Sequence, residues 1–312
     1  VLVDDASHNL ITRNLVNNSY EAIIIGHSYD YTENNTVWNN IFIGNIDYYA
    51  LATTNRLNYF DSDGIGNYWG NYVDLYPYAD QEYGVWTTPY EINALVRDNY
   101  PLVDPEFLTE SPDPYQFETT LTTPISIQSE SELMAFPNKT GSGTYLDPYV
   151  ISNPQINASG NNWGINIGNV YSPLIIRNVI IENATSGAIN IFRSRNISVE
   201  WSILQNNFGE WVYIFNGTYC KINNNQIIHN DGHGIQLEFY ASSSEFINNT
   251  IHDCGLSGIS LSEAYNNEFI SNKVSHTRQE SFGLVYSTDN MIQDNSFIRS
   301  QESGIFFHRF TT

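Results

Sequence analysis

The segment "FINNTIHDCGLSGISL" at 246–261 is followed, 23 residues on, by "FISNKVSHTRQESFGLVY" at 269–286. Both keep an apolar residue, an Asn three places later and a second apolar residue two places beyond that. The same triplet recurs as Ile222/Asn225/Ile227, Phe246/Asn249/Ile251, Phe269/Asn272/Val274 and Ile292/Asn295/Phe297, in steps of 24, 23 and 23 residues. Looser copies extend it backwards through Val199/Ser202/Leu204, Ile176/Val179/Ile181 and Ile151/Pro154/Ile156. A fixed period of this length marks a solenoid, whose units bury apolar surface only against their neighbours.

Each unit also holds a short second strand, often opened by Gly: "GAINI" at 187, "GIQLE" at 234, "GISLS" at 258, "GLVYS" at 283 and "GIFFH" at 304, with "EWVYI" at 210 lacking it. Apolar residues alternate within these strands, as in Ile235/Leu237 and Ile259/Leu261, so one face points inward. Strands of three to five residues with no helical stretch predict an all-β parallel β-helix, its coils about 4.8 Å apart. The recurrent Asn then has a structural cause. Asn225, Asn249, Asn272 and Asn295 are expected to stack at a bend, each amide bonding the next coil and satisfying backbone that water cannot reach.

The front of the chain repeats the theme through Ile11/Asn14/Val16 and Val37/Asn40/Phe42, 26 residues apart, and then stops. Residues 58–103 are dense in Tyr and Trp and read as a cap, because a solenoid end exposes an unpaired edge. Residues 104–124, with four Pro and five acids and no base, read as an extended linker. "SESELMAF" then begins with a Ser129-x-x-Glu132 capping box, predicting a short helical lid. The organisation expected is thus 1–103, the end of one β-helix with its aromatic cap; 104–124, an acidic Pro-rich linker; and 125–312, a second β-helix lacking a closing cap. Both ends read as cut from a longer chain.

The formal charge is −22, from 34 acidic and 12 basic side chains. Such a field repels phosphate backbones and anionic lipids, which argues against nucleic acid as a partner. No apolar run is long enough for a transmembrane span. Eight Asn-x-Ser/Thr sequons occur, a frequency this Asn-rich chain reaches by chance, so glycosylation is only weakly indicated.

"GNYWGNY" (66–72), "TPYEI" (88–92) and "DNYPLV" (98–103) occur in the order seen towards the C-terminus of the NosD-like proteins. "GSGTYLDPYVI" (141–151) is similar to the opening of β-helix domains in surface proteins, many of them archaeal. The chain therefore resembles the right-handed parallel β-helix proteins grouped with NosD, the periplasmic accessory protein of nitrous-oxide reductase. The resemblance implies a right-handed coil and an exported protein, extracellular, cell-surface or periplasmic. It implies no established enzymatic activity. Where many NosD-like chains have an acidic loop before "TPY", this one retains only Asp80 and Glu82.

Stacking equivalent positions brings His229, Asp253, His276 and then Arg299 into one column, with His252 beside it. His229, Asp253 and His276 offer nitrogen and oxygen ligands suited to Zn2+ or Cu2+; the competing reading is a solvated column of turn residues. Asp61 and Asp63 in "FDSDGIGN" suggest a Ca2+ loop. No ion is required by the fold. "NDGHG" at 230–234 contains the Gly-His-Gly of polygalacturonases, but the Arg-x-Lys those enzymes also need is absent from the sequence, so His233 reads as incidental. The expected function is a non-catalytic surface module, structural, adhesive or carbohydrate-binding, with polysaccharide or other surface proteins as partners. A polysaccharide lyase or glycoside hydrolase is the first alternative, and a NosD-like metal-handling accessory protein the second.

Overall fold

The computed structural model describes residues 6–25, 32–52, 57–62, 64–82, 84–104 and 120–308. Three parallel sheets of nine, eleven and ten strands wind into one β-solenoid. In a representative coil the chain passes from the first sheet (Glu245–Ile247) to the second (Thr250–Cys254) and the third (Ile259–Ser262). It then returns to the first sheet one coil on, where Phe246 pairs with Phe269. Inward-facing Phe246, Ile251, Ile259 and Leu261 are fully buried, so neighbouring coils share one apolar core.

The corner between the first and second sheets is one left-handed residue: Arg13, Asn39, Asn224, Asn248, Ser271 and Asp294 all have φ between 55° and 59°. An L-residue there costs about 1–2 kcal/mol, least for Asn and Asp, which accounts for the polar composition. The next residue is a buried Asn. Asn249 Oδ1 accepts from the backbone N–H and the Nδ2 of Asn225, both at 3.0 Å. Asn249 Nδ2 donates in turn to Asn272 Oδ1 at 2.9 Å, and Asn272 repeats the pattern on Asn295. A second column, Asn267, Asn290, Asn9, Asn35 and Asn58, does the same at the corner entering the first sheet.

The small residue at the start of the third sheet answers to crowding rather than to backbone angle. A Cβ on Gly258 would lie 2.2 Å from Val274 Cγ1, and one on Gly304 2.1 Å from Val16 Cγ1. Gly283 is out of this register: it pairs with Ser260, and Ser281 occupies the crowded position. Trp211, where "EWVYI" lacks the Gly, fits there fully buried because Ala188 and Gly234 flank it in the adjacent coils.

Spatial order differs from chain order. The last coil of the 120–308 segment is followed directly by the first coil of the 6–52 segment, through parallel pairing of Met291–Gln293 with Leu10–Thr12, Ser296–Ile298 with Leu15–Asn17, and Ser303–Phe307 with Glu21–Ile25. Both Asn columns cross this seam: Asn295 Nδ2 donates to Asn14 Oδ1 at 2.8 Å and Asn290 Nδ2 to Asn9 Oδ1 at 3.2 Å. Arg13 and Asp294 add an ion pair at 2.9 Å. The sheets therefore run unbroken through both segments. Of the stretch read as a linker, 105–119 lies outside the described residues, whereas Thr120–Thr122 is a strand paired with Pro154–Ile156.

One end of the solenoid carries the helix Glu130–Ala135. Ser129 Oγ accepts from Glu132 N–H at 3.2 Å, while Glu132 reaches back to Gln128 N–H at 2.7 Å rather than to Ser129. The other end is closed by aromatics: Trp69 stacks between Phe42 of the last full coil, at 4.7 Å, and Tyr90, at 4.3 Å. Here the Asn column also ends. Asn67 still has two N–H donors to place, and both go to Asp98 Oδ2, at 2.6 and 3.2 Å. Trp69 Nε1 donates to the same oxygen at 2.9 Å, and Tyr100 N–H to Asp98 Oδ1 at 3.0 Å. Burial pushes the Asp98 carboxyl up to about 7, against these four donors, each of which favours the ionised form. A Cβ on Gly66 would fall 1.9 Å from Asp98 Oδ1, so glycine makes room for this terminus.

Candidate functional site

The corner leaving the second sheet is also built from left-handed residues. His229, Asp253, His276 and Arg299 occupy it in successive coils with φ of 56–60°, preceded in space by Asn183 and Asn206 and followed by Asn18 and Gly44. This backbone requirement alone favours Asn, Asp and His. The residue after each corner points inward (Asn230, Cys254, Thr277), while the corner side chains reach solvent.

The four do not form one column of ligands. Asp253 Oδ2 lies 2.9 Å from His229 Nδ1 and also 2.9 Å from His252 Nδ1, the residue just before it on the strand. The ligand atoms of His229, His252 and Asp253 all fall within 4.8 Å of one another. His276 stands outside this group: its ring leans on His252 with centroids 4.7 Å apart, and its Nε2 takes a hydrogen bond from Arg299 at 3.2 Å. That contact makes His276 Nε2 an acceptor, and His276 is not among the residues whose ligand atoms lie within 4.8 Å of one another. His252, mid-strand in Thr250–Cys254 and next to Asp253, stands in that cluster instead.

A second surface feature lies on the outer face of the third sheet. Phe192 and Phe215 pair in register and stack at 5.4 Å, and Phe239 packs on Phe215 at 4.7 Å. Trp163 passes over Gly187 to lie nearly parallel to Tyr213 at 6.2 Å. Polar groups are interleaved with these rings: Tyr213 donates to Glu238 Oε2 at 2.6 Å and Gln236 Nε2 to Glu238 Oε1 at 2.7 Å. The Arg193 guanidinium sits over Phe192. Burial first, and then the bond to Glu238, raise the Tyr213 hydroxyl, so it remains a donor at neutral pH.

Phe239 and Tyr240 are consecutive left-handed residues, φ 50° and 67°, and are 49% and 61% exposed. They absorb the one extra residue of the long coil, since Phe215 pairs with Glu238 after 23 residues but Thr218 with Ser242 after 24. The corner leaving the third sheet is left-handed in the neighbouring coils too, at Arg193, Asn216, Glu263 and Tyr286, so Phe239 takes the ordinary corner and Tyr240 is the added left-handed residue, at a cost of about 1–3 kcal/mol.

The remaining sequence candidates take structural places. Asp61 Oδ2 accepts from the N–H and Nδ2 of Asn99, both at 2.8 Å, tying the cap together; Asp63 lies outside the described residues. His233 Nδ1 accepts from Ser257 N–H, and burial lowers its pKa to about 4, so it serves the next coil as a neutral acceptor. Cys220 and Cys254 are buried free thiols, pushed up to about 12 by burial. No described helix is long and apolar enough to cross a membrane.

A family model described as a right handed beta helix region matches residues 188–311, which include the histidine cluster and most of the aromatic face. The observed coil and this match together show a right-handed parallel β-helix fold. Comparison with curated proteins gave no significant match. Among solved structures, a PL6 family alginate lyase, AlyGC, is similar at 9% identity, with a TM-score of 0.15, over 96% of this chain. The chain spans 58% of that protein's length, and likeness at this level carries no argument about activity.

Proposed function

We propose that the protein is a non-catalytic β-helix module of an exported or cell-surface molecule, and that it binds neutral polysaccharide on the outer face of the third sheet. The observation that carries this reading is the contiguous platform of Trp163, Phe192, Tyr213, Phe215 and Phe239, edged by Glu238, Gln236 and Arg193. Flat rings present apolar faces to the C–H side of a pyranose, and the polar groups between them meet its hydroxyls. A rigid sheet holds the rings at coil spacing, so little ordering is needed on binding. The net charge of −22 and Glu238 in the platform favour an uncharged chain over a polyuronate. The exported setting rests on the NosD-like segments 66–72, 88–92 and 98–103.

A glycan array, followed by titration with the best neutral polysaccharide, tests the proposal. Phe239→Asn, which keeps a residue tolerant of the left-handed corner, and Phe192→Ser should each weaken binding about ten-fold, equivalent to about 1.4 kcal/mol. Unchanged affinity in both variants, or no glycan bound, overturns it. Release of reducing ends or unsaturated uronates from a polysaccharide would replace it with the lyase or hydrolase reading.

A further inference from the structure

We propose that His229, His252 and Asp253 bind one divalent transition-metal ion of the zinc and copper class, on a face separate from the aromatic platform. Two imidazole nitrogens and one carboxylate oxygen are a ligand set these ions take, whereas Ca2+ demands six to eight oxygens. Ligand bonds of about 2.0–2.2 Å at tetrahedral angles put neighbouring donor atoms about 3.3–3.6 Å apart; Asp253 Oδ2 lies 2.9 Å from each imidazole Nδ1, and all three donors fall within 4.8 Å of one another.

Hydrogen bonding inside the cluster leaves one of these nitrogens unsatisfied. Although His252 Nδ1 is 2.9 Å from Asp253 Oδ2, the oxygen is out of line for an N–H donor, and this buried nitrogen has no hydrogen-bond partner among the described residues. A lone pair aimed at a cation accounts for it. The side chains of His229, His252 and Asp253 are 60%, 39% and 36% exposed, so an ion held by three protein ligands would keep positions open to water or a ligand. A divalent charge is also favoured by the acidic chain around it.

The fold supplies its own control substitutions. Asn206 occupies the His229 corner one coil earlier, and Ser275 pairs with His252 one coil later, so His229→Asn and His252→Ser each install a residue the solenoid already uses there. Zn2+ titration by calorimetry should give one equivalent per chain. His229→Asn, His252→Ser and Asp253→Asn should each weaken it ten-fold or more, and His276→Asn should not. Cu2+ loaded at the same site should show coupling to two nitrogens by electron paramagnetic resonance. No saturable Zn2+ binding by the wild type, or equal binding by wild type and His252→Ser with matching thermal melts, overturns the proposal. Loss of binding in His276→Asn while His252→Ser binds as the wild type does would replace this ligand set with the single-column one.

Discussion

Two columns run along this solenoid only one strand apart, and they differ in nearly every respect. The inner one, Asn225–Asn249–Asn272–Asn295–Asn14–Asn40–Asn67, is uniform, buried and ends on Asp98. The outer one changes chemistry at almost every coil: Asn206, His229, Asp253, His276, Arg299, Asn18 and Gly44. Both sit at corners that demand a left-handed residue, yet only the inner column carries the side-chain hydrogen bonds that satisfy buried backbone. The outer corners need the backbone angle and nothing more, so their side chains are free to vary. In a β-helix, architecture and chemistry are separated by a single residue in sequence: the corner residue is available for function, and the residue after it belongs to the core.

The largest expected effect comes from breaking the uniform column. Asn272→Ala removes an acceptor for Asn249 and donors to Asn295 and Phe246 O, so buried polar groups lose partners on both flanking coils. Denaturant unfolding should show a loss of about 2–4 kcal/mol. If the loss were no larger than at an outer corner, the distinction between the columns would fail.

Asp98 sharpens the comparison at the end of the same column. Its folded pKa of about 7 lies above its ordinary value of 3.8, so between these limits the folded protein holds more protons than the unfolded chain. Its contribution to stability is therefore greatest below about pH 4, falls as pH rises towards 7, and is level above. Asp98→Asn should flatten this component: between about pH 4 and 7 the melting temperature of the wild type should fall relative to that of the variant, and the two should run parallel above it. Parallel curves throughout would mean that the carboxyl ionises as in the unfolded chain.

The smallest effect is expected on the outer column. His229→Asn should change unfolding free energy by less than about 0.5 kcal/mol, because Asn suits the corner and no buried group loses a partner. A larger loss would show that the His229–Asp253 contact stabilises the fold.

The repeat made the stacked coil legible from sequence, though not that each coil has three strands, because an Asn set between apolar positions every 23 or 24 residues is what stacked coils require at a buried bend. Ser129 and Glu132 were legible for a similar reason: the helix cap is a local pattern. Asp98 was not, since a column's terminator belongs to no repeat. Gly283 misled because it lies two residues beyond the crowded position, which Ser281 fills, and alternation alone does not tell the two apart. His252 was not grouped with His229 and Asp253 because stacking compares like with like, while the cluster joins a corner residue of one coil to two adjacent residues of the next. The unbroken sheets across 291–308 and 10–25 had no sequence signal either; periodicity reports that coils stack, not in what order.

That seam has a topological consequence. Contacts about 281 residues apart in sequence are made with the same pairing as those 23 apart, and no covalent bond crosses them. Closing a loop of about 281 residues costs about 2 kcal/mol more chain entropy than closing one of 23, so the joint between these two coils is expected to form late, after the coils on either side of it have stacked.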